Sequence, residues 1–221
     1  NTLLADNAVG LDSLLTQLFS AAIGWYTDYA FLRGDGVGKP LGILNAPAAI
    51  AVTKNTSGHF YFADVASMLS SLYWLLRGSS SVAWVVHQSV IADLYKMNDQ
   101  SGSTVAYGRQ LFVPFNSGAQ ADIPQSAGLQ SIGWLAGFPV LVSEKLPALG
   151  TAGCVMLCDF SKYLLGTRQE LQIDVSPHVN FLKNQMTWRV VWRGDGQPWL
   201  NSSIRLADGT FTVSPFVYLT Q

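Results

Sequence analysis

One segment restricts this chain's possible folds more than any other. Leu11, Leu14, Leu15, Leu18, Ala22, Trp25 and Tyr29 recur every three or four residues. Asp12, Ser13, Thr16, Gln17, Ser20, Thr27 and Asp28 occupy the other side. This is the signature of an amphipathic helix. Running from about Val9 to Phe31, it spans roughly 35 Å at about 1.5 Å per residue, well beyond the common three-turn helix. Gly34, where a glycine-rich loop opens, is its expected stop. Thr16, Gln17, Ser20, Thr27 and Asp28 interrupt the apolar run Leu14 to Leu32, leaving it short of the roughly 20 apolar residues of a membrane span.

Further along, Asp64 reads as the N-cap of a second helix carrying Val65, Met68, Leu69, Leu72, Tyr73 and Leu76, with Gly78 just past its end. The period then changes. Val82-Ala-Trp-Val-Val86 is a short buried strand, followed by a helix from about Gln88 to Met97 that buries Val90, Ile91 and Leu94. Gly102 to Ser131 lacks periodicity and reads as an exposed loop interrupted by a short strand at Leu111 to Phe115.

The last third is mainly β, with strands at Phe138 to Val142 and Cys154 to Leu157. Leu171, Ile173 and Val175 alternate with Gln172 and Asp174, and Met186, Trp188, Val190 and Trp192 alternate with Thr187, Arg189, Val191 and Arg193. These two runs predict a long antiparallel hairpin. The overall reading is α+β, without internal repeats, heptads or low-complexity tracts.

Composition narrows the function. Apolar residues make up 49% of 221 and can fill a substantial core, whereas charged residues are only 12%, about half the usual share. Such a surface suits extensive protein contacts. A net charge of −1 and a pI of about 6.3 leave no domain-wide basic field for nucleic acid. Cys154 and Cys158, four positions apart on one strand, sit about 13 Å apart, too far for a disulfide, and read as free buried thiols. That fits a reducing cytoplasm. Asn1 in place of Met implies that the parent chain begins upstream.

No chemical motif withstands its spacing test. Gly34-Asp-Gly-Val-Gly-Lys-Pro-Leu-Gly42 has Arg33 where a phosphate loop needs its first Gly and Pro40 where it needs Ser or Thr, and it follows a helix. It reads as a structural turn whose glycines supply positive φ. His59, His87 and His178 lie far apart and read as locally satisfied residues. Ser79-Ser-Ser81 lacks a nucleophile elbow. Glu144, Asp159 and Glu170 read as single solvated carboxylates, and Gly194-Asp-Gly196 as a β turn.

Phe31-Leu-Arg-Gly-Asp-Gly-Val-Gly-Lys-Pro-Leu-Gly-Ile-Leu44, directly after a long amphipathic helix, closely resembles the signature of the Hong Kong 97 type of phage major capsid proteins. Val82-Ala-Trp-Val-Val-His87, Asn98-Asp-Gln-Ser-Gly102, Leu135-Ala-Gly-Phe-Pro-Val-Leu-Val-Ser143, Cys158-Asp-Phe-Ser-Lys162 and Phe181-Leu-Lys-Asn184 continue the likeness in order. It spans essentially the whole chain.

The resemblance implies a peripheral domain (1–48 and 164–195) and an axial domain (49–163 and 196–221). Leu11, Leu15, Leu18 and Trp25 would mark the peripheral domain's spine helix, and Leu171, Ile173, Trp188 and Trp192 its long β ribbon. Gly34, Asp35, Gly36, Gly38, Pro40 and Gly42 would form the signature loop. The axial domain would hold a central β-sheet flanked by helices.

The implied function is a structural one: a self-assembling subunit of hexamers and pentamers in an icosahedral phage or prophage head. The implied setting is the virion, with assembly in the bacterial cytoplasm. Scaffold, head protease and portal proteins are implied partners. No catalysis, cofactor, metal, membrane or specific nucleic-acid binding is expected.

The family's N-terminal arm and extended loop would precede Asn1. Asn184 resembles the acceptor of an isopeptide crosslink made by some members, but Val191 falls near the assisting Glu position, so no self-crosslinking is expected. The alternatives are an encapsulin-like nanocompartment shell, an enzyme with an unrecognised site, and an adhesive β module, which the long helix argues against.

Overall fold

The computed structural model describes residues 11–73, 81–97, 110–114, 131–183 and 185–221. The long helix, α1, runs Leu11–Arg33, two residues later than read at either end, and stops where Gly34 N–H bonds the Ala30 carbonyl at 2.7 Å. The chain then makes a 3₁₀ turn, Ile43–Asn45, strand β1, Ile50–Thr53, and helix α2, Phe62–Ser71. Asp64 is not the N-cap of α2. It sits three residues inside the cap, Tyr61, and its buried carboxylate accepts from the Tyr61 N–H at 3.0 Å, the Asn55 N–H at 2.8 Å and Asn55 Nδ2 at 2.9 Å. The helix also ends earlier than its apolar spacing suggested. Leu72 turns extended and makes an isolated parallel bridge with Ser214. Leu76 and Gly78 lie outside the described residues.

Strand β2, Val82–Val86, is buried at every position, as its unbroken apolar run requires. The next helix is shorter than read: a 3₁₀ turn, Gln88–Val90, leads into α3, Ile91–Lys96, with Val90 and Leu94 buried. Strands β3, Phe112–Pro114, β4, Ser131–Leu135, β5, Phe138–Val142, β6, Val155–Asp159, and β11, Phe216–Thr220, complete a seven-stranded mixed sheet. Its order is β1-β11-β6-β2-β5-β4-β3, with β1–β11 and β2–β5 parallel. The pattern had not marked β1, β4 or β11 as strands. The tip of the 102–131 loop lies outside the described residues. The main core lies around this sheet, centred on Phe60, Met68, Trp84, Leu94, Phe112 and Leu219.

A two-residue turn, Ala136–Gly137, joins β4 to β5 with both residues at positive φ, 51° and 90°. Such a turn suits the twist of paired strands but favours Asn or Gly first. Ala136→Asn is therefore expected to stabilise the protein by about 1 kcal/mol, read as a rise in the urea midpoint at unchanged slope.

The predicted hairpin is a separate two-stranded ribbon, longer than the alternation showed. Strand β7, Tyr163–Asn180, pairs antiparallel with β8, Gln185–Pro198, with Ile173 opposite Val190 and Val175 opposite Trp188. Gly194 and Gly196 do not close a turn; they lie within β8. A Cβ on Gly196 would sit 2.6 Å from the Tyr163 hydroxyl and 2.9 Å from the Phe31 ring, so this glycine makes room for side chains. A small hairpin, β9, Ile204–Arg205, and β10, Thr212–Val213, precedes β11.

Asp174 and Arg189 are partners in the ribbon register, 2.6 Å apart at their closest. The guanidinium, and then the Gln172 amide, hold the Asp174 carboxyl below its usual value. A depressed folded pKa contributes stability above the unfolded value and loses it as pH falls through the folded one. Arg189→Ala should return the Asp174 titration, followed by NMR, towards the ordinary carboxylate value of about 3.9. No such move would mean that the pair does not persist in solution.

Candidate functional site at the glycine loop

The nine residues after α1 form a closed knot. Asp35 and Leu41 make an antiparallel bridge, and the Gly42 N–H bonds the Gly34 carbonyl at 2.9 Å. Gly36 and Gly38 take φ of 79° and 67°, as expected of a structural turn. Gly34 and Gly42 serve a different need. Gly42 has φ −71°, open to any residue, but a Cβ there would lie 2.5 to 2.7 Å from backbone atoms of Gly34, Arg33 and Leu32. A Cβ on Gly34 would strike the Pro40 carbonyl oxygen. Asp35 Oδ1 accepts from the Val37 N–H at 3.0 Å and Oδ2 lies 3.2 Å from Lys39 Nζ; these contacts, the N–H first, lower the Asp35 pKa.

The knot ties three elements together. The Leu41 N–H bonds the Gly196 carbonyl of β8 at 2.9 Å, and the Tyr163 hydroxyl of β7 donates to the Leu41 carbonyl at 2.9 Å. Burial, and then the charge of Asp195, push the Tyr163 phenol well above its usual pKa, keeping that donor protonated. Asn45 Nδ2 bonds the Arg33 and Gly34 carbonyls at 3.0 and 2.9 Å, capping the helix from the sheet side. Pro40 is buried and Val37 points outwards, 80% exposed.

The half-buried side of the helix only partly matches the one read as apolar: Leu15 and Tyr29 belong to both, whereas Phe19, Ile23 and Thr27, the last read on the polar side, are added. Leu15, Phe19, Ile23 and Thr27 are half-buried, and the Phe19 ring lies 6.5 Å from that of Trp188. Ile23, Tyr26, Thr27 and Ala30 line a groove shared with Trp192 and Arg193. Leu14, Leu18 and Trp25 are exposed, at 52, 56 and 37%. α1 carries apolar side chains on both sides, so the ribbon's position, not the 3.6-residue pattern, selects the buried one. On the ribbon, Ile173, Trp188 and Trp192 are half-buried and Leu171 is exposed. The ribbon tip is more open still, with Phe181 at 75% and Leu182 at 99%.

Among the described residues the ionisable side chains do not converge. His59 pairs with Asp93 at 3.4 Å, His87 accepts the Ser89 N–H at 3.1 Å, and His178 lies on the ribbon. Asp159, read as solvated, is fully buried. Its Oδ1 accepts the Ser161 N–H at 2.9 Å while Oδ2 has no partner, because the strand extends two residues beyond the Cys154–Leu157 run and carries Asp159 inside. Both cysteines are buried free thiols. Among the described residues, no three His, Cys, Asp or Glu side chains gather as a metal site, and no helix is long and apolar enough to cross a membrane.

A mixed sheet carrying a long helix and a separate two-stranded ribbon, with large apolar side chains left outside, suits a structural subunit and offers no catalytic centre among the described residues. The chain belongs to the phage capsid family, whose family model matches residues 1–209. Among solved structures it resembles the capsid of an empty GTA particle, with a TM-score of 0.68 and 20% identity over 99% of this chain and 69% of that one. A Mycobacterium phage Adephagia chain gives 0.59 at 17% identity, over 100% of this chain and 68% of that one. A Mycobacterium phage Cain chain gives 0.57 at 16%, over 99% and 68%. No curated protein sequence matches the chain. The protein is thus a structural subunit of a phage head, not an enzyme; its place is the virion capsid, and its partners include copies of itself.

Proposed function

We propose that copies of this chain assemble as hexamers and pentamers into an icosahedral shell around viral DNA. The observation that carries this reading is the exposed apolar surface of the projecting arm: Leu14, Leu18 and Trp25 on α1, and Val179, Phe181, Leu182 and Met186 near the ribbon tip. A subunit with 12% charged residues that leaves such side chains outside gains by covering them with neighbours. Many modest contacts of this kind add by multivalency to a closed container.

In this reading residues 1–48 and 164–195 are the peripheral domain and 49–163 and 196–221 the axial domain. The return of β11 to pair with β1 and β6 supports the second pairing of segments. Scaffold, head protease and portal proteins would act with the subunit in the host cytoplasm before the virion is complete. Asn184, the crosslink acceptor by resemblance, lies outside the described residues, and Val191, at the assisting position, is a half-buried apolar residue of β8.

The test is negative-stain electron microscopy of the full-length parent expressed with any adjacent protease or scaffold gene. Closed shells of five- and six-membered rings are expected. Monomers or small oligomers under all conditions would overturn the assembly reading, and closed shells filled with an enzyme cargo would move it to a nanocompartment.

A further inference from the structure

The glycine knot holds one end of α1, and a rod held at one end can pivot. A second attachment lies higher on the helix. Trp25 Nε1 donates to Glu144 Oε1 at 2.6 Å, and Lys145 Nζ lies 3.1 Å from Asp28 Oδ2. Trp25 and Asp28 are three residues apart and so share a helix face. Glu144 and Lys145 are neighbours in the turn after β5.

That turn is fastened to the sheet. Ser143 is buried, its N–H bonds the Val86 carbonyl of β2 at 2.9 Å, and its Oγ accepts the Lys145 N–H at 3.3 Å. Leu146, next in line, packs in the core cluster with Leu32 and Ile43. On the helix side, the Trp25 ring is held by stacking on Tyr29, with centroids 5.6 Å apart and planes within 7°. Trp25 lies nine residues before Gly34, about 13 Å along the axis.

We infer that Trp25, Asp28, Glu144 and Lys145 form a two-point clasp that sets the angle between the helix–ribbon arm and the sheet. Two anchors on a rod define a direction where one defines only a pivot. Both links are polar and open to solvent on at least one side, the Asp28 side chain at 57% against 14% for Lys145, and pairs that water reaches are individually weak. The clasp therefore holds one arm angle in the free subunit and yields where contacts with neighbouring copies favour another. This second step rests on the shell reading, in which the same chain occupies five- and six-membered rings whose geometries differ. The holding step does not.

The test is a spin-label distance measurement in the unassembled full-length subunit, with labels at Gln17→Cys on α1 and Thr53→Cys at the edge of the sheet. Cys154 and Cys158 are buried and stay unlabelled. The parent should give one narrow distance distribution. Glu144→Ala with Lys145→Ala should broaden it by roughly twofold as the hinge is freed. Trp25→Phe, which removes the N–H and keeps a stacking ring, should broaden it less. Lys145→Asp should broaden it, and Asp28→Lys added to Lys145→Asp should narrow it again.

Unchanged widths in every variant would show that the knot alone sets the angle and would overturn the inference. If the double alanine variant fails to fold by circular dichroism, the exchanged pair decides: broadening without recovery overturns the ionic link. Because the subunit is measured unassembled, a failure to form shells leaves this result standing, so the two readings fail separately.

Discussion

Gly42→Ala is expected to lower stability by about 3 kcal/mol or more, a large shift in the urea midpoint for a single methyl group. The reason is space and not backbone conformation. Gly42 has an ordinary extended φ of −71°, but the α-hydrogen that a side chain would replace points at Gly34 N, Arg33 N and Leu32 C, which an added Cβ would meet at 2.5, 2.6 and 2.7 Å. All three are main-chain atoms in the last turn of α1 and the start of the knot, so no side-chain rotation relieves the overlap. Either the helix end moves away from Ile43 and Asn45 or the bond from Gly42 N to Gly34 O breaks. Gly38→Ala is the control. Gly38 has φ 67° with open space around it, and its alanine should cost only about 1 kcal/mol of left-handed strain. Equal losses at the two positions would mean that the knot is loose in solution. Because the knot anchors α1 to both ribbon strands, Gly42→Ala should also reduce the yield of closed shells.

Trp84→Ala should cost about 4 kcal/mol by the same measurement. Trp84 is fully buried on β2, with its ring edge-on to Phe60 at 6.4 Å and its Nε1 donating to the Leu135 carbonyl on β4 at 3.1 Å. Trp84→Phe separates the two contributions. It keeps most of the apolar contact and leaves the carbonyl without that donor, for which a loss of about 1–3 kcal/mol is expected. A phenylalanine variant as stable as the parent would show that packing alone accounts for the site. Trp199→Ala, by contrast, should change the free subunit by less than about 0.5 kcal/mol, since Trp199 is 64% exposed. A shell defect in that variant without a stability defect would place Trp199 at a contact between copies.

The contrast between these tryptophans shows what the amino-acid order could and could not reveal. Trp84 sits in five consecutive apolar residues, a pattern suited to a strand covered on both faces, and it is buried. Trp188 and Trp192 sit in alternation, and the ribbon they announced is present, with Val175 opposite Trp188 and Ile173 opposite Val190. The long helix and its stop at Gly34 were equally legible, because the 3.6-residue period and a glycine are local signals. So was the knot as a structural turn with positive φ at Gly36 and Gly38, and the ordered landmarks carried the family.

Other features depend on chain segments far apart and could not be read locally. Gly196 leaves room for the side chains of Tyr163 and Phe31, a requirement that its own neighbours in sequence do not encode. Gly194 to Gly196 reads as a turn by composition, yet pairing with Thr167, Gly166 and Leu165 of β7 keeps it extended. Asp64 and Asp159 are indistinguishable in type from solvated carboxylates, yet the fold buries both and leaves them to accept from the main-chain N–H groups of Asn55, Tyr61 and Ser161. Strands β1 and β11 are short apolar runs that periodicity cannot separate from helix; their parallel pairing brings together residues 50–53 and 217–220. The helix face is the clearest case. Local order made α1 and furnished it with apolar side chains on two sides. The ribbon meets Phe19 and Ile23 and leaves Leu14, Leu18 and Trp25 outside, because burial is decided by which surface a distant segment reaches.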